Sequence, residues 1–176
     1  MTRRSAIMLT AVSPLLACAV AQAQKRASPH ETVSVDLDGN KVTIMYGRPY
    51  LKGRHVGEQV APFNEVWRLG ADEATKITVT ARTKIGNSLE LAPGSYSLFA
   101  IPQPDKWTLI VDKVPDQWGA FKYDQSQDLG RFDVKVTLPP SPVEQFTITL
   151  AKQGSNTAAL TFAWGKASVS TTLTTA

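Results

Sequence analysis

The chain has 176 residues, with 19 Lys and Arg against 15 Asp and Glu, two His and one Cys. A hydrophobic share of 43% with 19% charged residues is typical of a globular domain and excludes a disordered chain or a multi-span membrane protein. The near balance of charge argues against a nucleic-acid partner, and so few Cys and His exclude a zinc finger, an iron–sulfur cluster or a disulfide framework, so no metal and no cofactor is predicted.

Residues 1–23 have the pattern of a secretory signal peptide. Arg3 and Arg4 give a positive start, residues 6–20 are an apolar run, and Ala21 and Ala23 place small side chains where signal peptidase reads the chain. The apolar run is shorter than the roughly 20 residues that a bilayer span requires. The sequence therefore predicts cleavage after residue 23, a periplasmic or secreted protein, and no transmembrane segment in the mature chain.

A second interpretation of the same region uses the single cysteine. The segment Leu15-Leu16-Ala17-Cys18 resembles a bacterial lipobox, in which the cysteine carries lipid and anchors the protein to a membrane face. Against this interpretation, Leu16 stands where a smaller residue is more usual, and the apolar run continues past Cys18. Both interpretations export the protein.

The rest of the chain alternates polar and apolar residues with period two. This alternation is typical of strands with one buried face, and Gly39, Gly86 and Gly94 mark turns between them. We expect an all-β, antiparallel β-sandwich or jelly roll of nine or ten short strands over residues 32–176, after a flexible lead-in over residues 24–31. The predicted strands are residues 32–37, 41–46, 75–80, 89–91, 96–101, 107–111, 133–138, 146–150, 159–164 and 169–173.

The first long interruption of the alternation, residues 47–70, is rich in arginine. It contains Arg48, Arg54 and Arg68, while Glu58 and Glu65 are its only acids. Irregular segments of this length within a compact domain tend to be functional or mobile. Guanidinium groups bind carboxylates and phosphates through paired hydrogen bonds, so the segment could form an anion-binding surface. In the simpler interpretation, these arginines pair with nearby acids and hold the loop in place.

The second interruption, residues 115–130, contains Trp118 and Tyr123 among several Asp and Gln residues. An exposed Trp beside such polar side chains can form a platform for a sugar, because the indole face meets C–H groups while the polar groups meet hydroxyls. In the simpler interpretation, Trp118 covers an open edge of the hydrophobic core.

Several phrases of the sequence together resemble a known family. They are VTIMYGRP at residues 42–49, KGR at 52–54, VWRLGADEAT at 66–75, APGSYSLFAIP at 92–102 and DQWGA at 116–120. Their order and spacing resemble the secreted bacterial family catalogued as domain of unknown function 2911 (DUF2911). The resemblance covers nearly all of the mature chain and implies an exported, mostly β domain, with no activity attached. Where the family pattern has Asn, this chain has Asp72, which adds a charge and removes an amide donor.

The phrase around Trp67 can also be interpreted physically. In an extended chain Trp67 can bury its ring while Arg68 points to the opposite face. Gly70 and Ala71 permit a tight bend or a close approach of two backbones.

The adjacent acids of this phrase are expected to lie apart. In a strand, Asp72 and Glu73 face opposite ways and cannot form a facing acid–base pair. We expect Glu73 to pair with Arg48, Arg54 or Arg68 in a structural ion-pair cluster where the first irregular segment meets the sheet, with a ligand site as the alternative.

No catalytic motif is present in the sequence. There is no nucleophile elbow, no zinc-protease helix motif, no Walker loop and no dinucleotide-binding glycine pattern. His30 falls in the predicted lead-in, so a histidine base would have to be His55, which is more simply an ordinary loop residue.

The favoured hypothesis is a non-catalytic binding or interaction module with an anionic or carbohydrate ligand. One alternative is a hydrolase acting on envelope or extracellular polymer, with Glu73 and His55 as acid–base candidates; another is a structural envelope component. The candidate ligand-binding residues are Arg48, Arg54, Arg68, Glu73 and Trp118.

Overall fold

The computed structural model describes residues 26–176 and shows an all-β protein, which confirms the predicted fold class. Every predicted strand is present, and three short strands, β3, β4 and β6, add to them. The predicted signal peptide and the alternative lipid attachment at Cys18 lie outside the described residues. The strands are β1 (His30–Leu37), β2 (Asn40–Gly47), β3 (Val56–Gly57), β4 (Val60–Pro62), β5 (Thr75–Val79), β6 (Thr83–Ile85), β7 (Leu89–Leu91), β8 (Gly94–Pro102), β9 (Lys106–Asp112), β10 (Asp128–Thr137), β11 (Val143–Lys152), β12 (Thr157–Gly165) and β13 (Ala167–Thr175).

Eleven of these strands form one antiparallel sheet. Its order is β1-β2-β5-β8-β9-β10-β13-β12-β11, with β6 pairing with β13 and β7 with β6. The sheet curls nearly into a barrel, so that β1 at one edge lies against β11 at the other. The finer expectation of a two-layer sandwich or jelly roll is not confirmed, because one continuous set of hydrogen-bonded strands surrounds the core. A single 3₁₀ turn (Gln125–Gln127) precedes β10, and no helix within residues 26–176 is long and apolar enough to cross a membrane.

The first hairpin illustrates how the sequence determines the strands. Asp38 and Gly39 connect β1 to β2 with φ angles of 55° and 79°, as the type I′ turn of a two-residue hairpin requires. Val42, Ile44 and Tyr46 on β2 are buried, whereas Met45, which lies between Ile44 and Tyr46, is half exposed. The polar and apolar alternation therefore separates an inner, core-facing surface from an outer surface of the sheet.

Aromatic rings fill one end of the core. The Trp67 ring is buried, as expected, and lies edge-on to Trp107 with ring centroids 5.7 Å apart. It stacks on Trp164 at 5.5 Å and meets Phe146 edge-on at 5.0 Å. Each ring of this size buries a large apolar area, and edge-on or stacked pairs contribute about 0.5–1.5 kcal/mol beyond that burial. The first irregular segment is therefore anchored to the core by Trp67.

Side chains connect β1 and β2 to β11 at the two edges of the sheet, where the strands are not paired by backbone hydrogen bonds. The Tyr46 hydroxyl accepts a hydrogen bond from the Ile148 backbone N–H at 3.0 Å and lies 3.2 Å from the Glu31 carboxylate, to which it donates. Arg48 pairs with Glu31 at 2.6 Å and donates to the Thr147 hydroxyl at 2.9 Å. These contacts connect β1 and β2 to β11 and close the near-barrel.

The second irregular segment covers part of the outer surface of the sheet. Phe99 on β8 and Ile110 on β9 point outward and yet are fully buried, together with Ala74. Ala120 and Tyr123 pack against them. This small second core holds residues 114–127 against β8 and β9, and so fixes the position of the irregular segment that carries Trp118.

Candidate functional site

A cavity of about 460 Å³ opens on the outer surface of the sheet beside this segment. Thr32, Met45 and Lys76 stand in register across β1, β2 and β5 and form its floor. The indole of Trp118, which is 46% exposed, lies at its edge. We call this the Trp118 cavity; its polar wall consists of Arg26, His30, Glu73, Asp116 and Gln117.

Backbone hydrogen bonds join the two irregular segments at this cavity. Glu73 and Trp118 form an isolated antiparallel bridge, and the Ala74 N–H donates to the Gln117 carbonyl at 2.9 Å. One residue further on, the Gly119 N–H donates to the Asp72 carbonyl at 3.0 Å. The bridge therefore places two of the five sequence-predicted site residues, Glu73 and Trp118, side by side.

The backbone of the loop that precedes Glu73 packs directly against the backbone at the end of β2. A Cβ atom on Gly47, the last residue of β2, would lie 2.2 Å from the Ala71 carbonyl oxygen, and one on Gly70 would lie 3.0 Å from the Gly47 carbonyl oxygen. The contact confirms that Gly70 and Ala71 serve a close backbone approach, and it makes a side chain at Gly47 sterically incompatible with the observed loop.

Glu73 contacts two basic side chains at the cavity wall. Its Oε1 accepts a hydrogen bond from Arg26 at 2.5 Å, and its Oε2 lies 2.8 Å from His30 Nε2. Burial alone would raise the pKa of Glu73, but its own backbone N–H together with Arg26 and His30 outweighs this and holds the pKa below the ordinary value. Glu73 is therefore an anion at neutral pH.

The expected pairing of Glu73 with an arginine of the first irregular segment is wrong. Its partners are Arg26 and His30, both from the segment expected to be a flexible lead-in. β1 begins at His30, within that segment, so the imidazole is carried by the first residue of a strand. The physical reason is that the polar side of β1 continues to His30, which faces the outer surface beside Glu73.

The expectation that Asp72 and Glu73 point to opposite sides is also wrong. Asp72 has a φ of 62°, in the left-handed region, so the alternation of an extended strand does not apply there. The side-chain donor atoms of His30, Asp72 and Glu73 all lie within 4.8 Å of one another. Among the described residues, these three side chains bring their ligand atoms close enough together to hold a metal ion.

The base of the Trp118 segment rests on a buried carboxylate. Asp112, at the end of β9, accepts hydrogen bonds through Oδ1 from the Val114 N–H at 2.8 Å and from the Gln117 amide at 2.9 Å. Its other oxygen, Oδ2, is buried and has no hydrogen-bond partner within residues 26–176. Burial raises the pKa of Asp112, and the nearby Asp128 carboxylate adds to this rise.

Two other predicted site residues, Arg54 and Arg68, line a separate and larger cavity of about 700 Å³. Arg68 donates to the Asp72 carbonyl at 3.1 Å, and its guanidinium lies 5.9 Å from the centre of the Phe121 ring. Arg54 donates to the Tyr50 and Leu51 carbonyls at 2.8 and 2.9 Å. Both arginines therefore hold the loop by bonding backbone carbonyls rather than the acids expected from the sequence.

The remaining candidates are placed elsewhere. Arg48 closes the barrel through Glu31, as described above, and borders neither of these two cavities. His55 lies at a third cavity and not at the Trp118 cavity, so it and Glu73 do not share a site. The acid–base pair named for the hydrolase alternative is therefore not assembled.

The fold and the site together define a near-barrel β protein with a surface cavity formed between one end of a hairpin and two irregular segments. Residues 28–173 match the family model described as protein of unknown function (DUF2911), and the chain belongs to this family. No curated protein and no solved structure matches the chain.

Proposed function

We propose that this protein is an exported binding module and that the Trp118 cavity takes a carbohydrate. The observation that carries the proposal is the half-exposed indole of Trp118 beside a concave, polar-walled space. The volume of about 460 Å³ falls in the range of small-molecule sites, which is about 300–1,000 Å³. An exposed Trp fixed by a backbone bridge offers a rigid apolar surface at little cost in side-chain entropy.

The polar wall favours a neutral, hydroxyl-rich ligand over a strongly charged one. Lys76 and Asp116 neutralise each other at 3.0 Å, and Glu73 is paired with Arg26. Such pairs present both donors and acceptors without a net local charge. Sugar hydroxyls can accept from the cations and donate to the carboxylates, while a C–H face of the ring lies on Trp118.

The same proposal includes the export and domain arrangement expected from the sequence. Residues 1–23 are proposed as a cleaved signal peptide, residues 24–31 as a lead-in and residues 32–176 as a single domain in the periplasm or the medium. Mass spectrometry of the protein recovered from cells tests this, since retention of residues 1–23 or a lipid mass on Cys18 would contradict it.

Tryptophan fluorescence provides a direct test of sugar binding. Trp67, Trp107 and Trp164 are buried, so Trp118 dominates quenching by an aqueous quencher such as acrylamide. Titration with a panel of neutral mono- and oligosaccharides is expected to protect the fluorescence from quenching for at least one sugar. Trp118→Ala is expected to abolish binding of that sugar as measured by calorimetry.

Phe121→Ala is the matched control for this experiment. Phe121 is an aromatic residue on the same segment, 82% exposed, and it does not line the Trp118 cavity. Its replacement is expected to leave sugar binding unchanged. The proposal fails if no sugar of the panel binds, or if Trp118→Ala and Phe121→Ala weaken binding equally.

A further inference from the structure

We propose that His30, Asp72 and Glu73 form a binding site for a divalent transition-metal ion, for which Zn²⁺ is the probe. The site lies at the wall shared by the Trp118 cavity and the larger arginine-lined cavity. The site shares His30 and Glu73 with the polar wall of the Trp118 cavity, but the argument for it does not rest on the proposed carbohydrate ligand.

The first line of argument is the position of the His30 ring. Its Nδ1 lies 3.2 Å from the Ser28 carbonyl oxygen, and its Nε2 lies 2.8 Å from Glu73 Oε2. A metal-bound histidine has the same arrangement, with one ring nitrogen against a backbone carbonyl and the other directed at the ion. The second nitrogen of His30 is therefore directed at the carboxylate with which it would share a metal ion.

The second line of argument is the state of Asp72. Its Oδ2 is buried and receives no hydrogen bond within the described part of the chain. A buried carboxylate oxygen without a donor is costly unless a cation compensates for it. The Asp72 side chain belongs to the same cluster as His30 and Glu73, in which one ligand atom from each residue lies within 4.8 Å of the others.

The backbone holds the two carboxylates in place for such an ion. The Asp72 carbonyl is fixed by Gly119 and Arg68, at 3.0 and 3.1 Å. Glu73 is fixed by its backbone bridge to Trp118. The Ser28 carbonyl orients the imidazole in the manner of an outer-shell partner of a metal-bound histidine. Arg26 occupies only Oε1 of Glu73 and leaves Oε2 for the ion.

The donor set selects the class of metal. One imidazole nitrogen and two carboxylate oxygens suit Zn²⁺ and its neighbours among the transition metals, with further coordination positions open to water. Mg²⁺ and Ca²⁺ prefer sites made of oxygen alone and more oxygen ligands than this cluster supplies. We therefore expect Zn²⁺ to bind and Ca²⁺ and Mg²⁺ to bind much more weakly.

Calorimetric titration of the purified protein tests the site. The protein carries no polyhistidine tag, is treated with chelator beforehand, and is titrated with Zn²⁺ and separately with Ca²⁺. One Zn²⁺ per chain is expected. Asp72→Asn and Glu73→Gln are each expected to weaken Zn²⁺ binding at least about tenfold, because loss of even an outer-shell partner costs about 10–100-fold. Cobalt substitution adds a spectroscopic readout, since the visible absorption of bound Co²⁺ changes when the His30 ligand is lost in His30→Asn.

Asp116→Asn is the matched control. Asp116 is a carboxylate of the same cavity wall, but it pairs with Lys76 and is not part of the cluster. It is expected to retain full Zn²⁺ affinity, and circular dichroism of each metal-free variant verifies that it is folded. The proposal is overturned if the wild-type protein does not bind Zn²⁺, if it binds Ca²⁺ more tightly, or if Asp72→Asn binds Zn²⁺ as well as Asp116→Asn does. Because no sugar is present, failure here leaves the carbohydrate proposal standing.

Discussion

Tyr46→Phe is expected to destabilise the protein although it removes a single oxygen atom. The Tyr46 hydroxyl receives the Ile148 N–H at 3.0 Å across the gap between the two edges of the sheet, and the ring lies edge-on to Phe146 at 5.7 Å. Phenylalanine keeps the ring contact but leaves the Ile148 N–H without an acceptor in a buried position. An unsatisfied buried donor costs about 1–3 kcal/mol, so the free energy of unfolding should fall by about that amount.

The measurement is urea denaturation of wild type and variant followed by circular dichroism. The dependence of the unfolding free energy on urea concentration is expected to be the same for both proteins. Tyr96→Phe is the matched control, because its hydroxyl donates to the Ala92 carbonyl at 2.9 Å in a more exposed setting. That variant is expected to lose less than about 1 kcal/mol, since water can replace the bond. Equal losses for Tyr46→Phe and Tyr96→Phe would refute the idea that this hydroxyl closes the barrel.

Two further predictions use thermal and pH-dependent unfolding. Gly47→Ala is expected to cost at least about 3 kcal/mol, the upper end of overpacking, because its Cβ would lie 2.2 Å from the Ala71 oxygen. Gly53→Ala, with φ 77° and open space around it, should cost only the about 1–2 kcal/mol of a left-handed residue; a larger loss for Gly53→Ala would contradict the reasoning. The pKa of Asp112 is raised in the folded protein, so the wild type loses free energy of unfolding as pH rises through that pKa and a charge must be buried. Asp112→Asn carries no such charge, so its free energy of unfolding should increase relative to that of the wild type over the same pH range. Asp133→Asn should show the opposite trend, since the hydrogen bond from a lysine lowers the pKa of Asp133 and its carboxylate stabilises the fold above its unfolded pKa; parallel trends for the two variants would contradict this assignment.

Alternation in the sequence was sufficient to predict the strands but not their arrangement. Segments such as residues 32–37 and 41–46 have one apolar side, and that side is buried whether the partners form two layers or one curled sheet. The distinction depends on which strands pair across long distances, as β10 does with β13. Periodicity contains no information on such pairing. The short strands β3, β4 and β6 were missed because, unlike the Leu-Glu-Leu of β7, their two or three residues do not alternate apolar and polar.

The sequence predicted only part of the candidate site, because its loop residues are brought together by backbone contacts that no sequence pattern indicates. Glu73 and Trp118 were both singled out, but nothing in the sequence indicates that a backbone bridge brings them together. His30 was missed although a signal was present. The polar positions of β1 continue backwards from Ser34 through Thr32 to His30, so an extended alternation would have placed the imidazole on the outer surface.

The distribution of left-handed residues connects the fold to the site. Apart from the hairpin turn at Asp38, every non-glycine residue with positive φ among the described residues lies between Lys52 and Asp72. Leu69, with φ 52°, is fully buried, and its carbonyl accepts the Thr75 hydroxyl at 2.6 Å, so packing enforces a conformation that costs about 1–3 kcal/mol. Glycine would adopt these angles without strain. Glycine could not fill the core as Leu69 does, nor supply the carboxylate that Asp72 places beside Glu73 and His30. Two carboxylates held so close together repel each other, and the proposed cation would offset that repulsion.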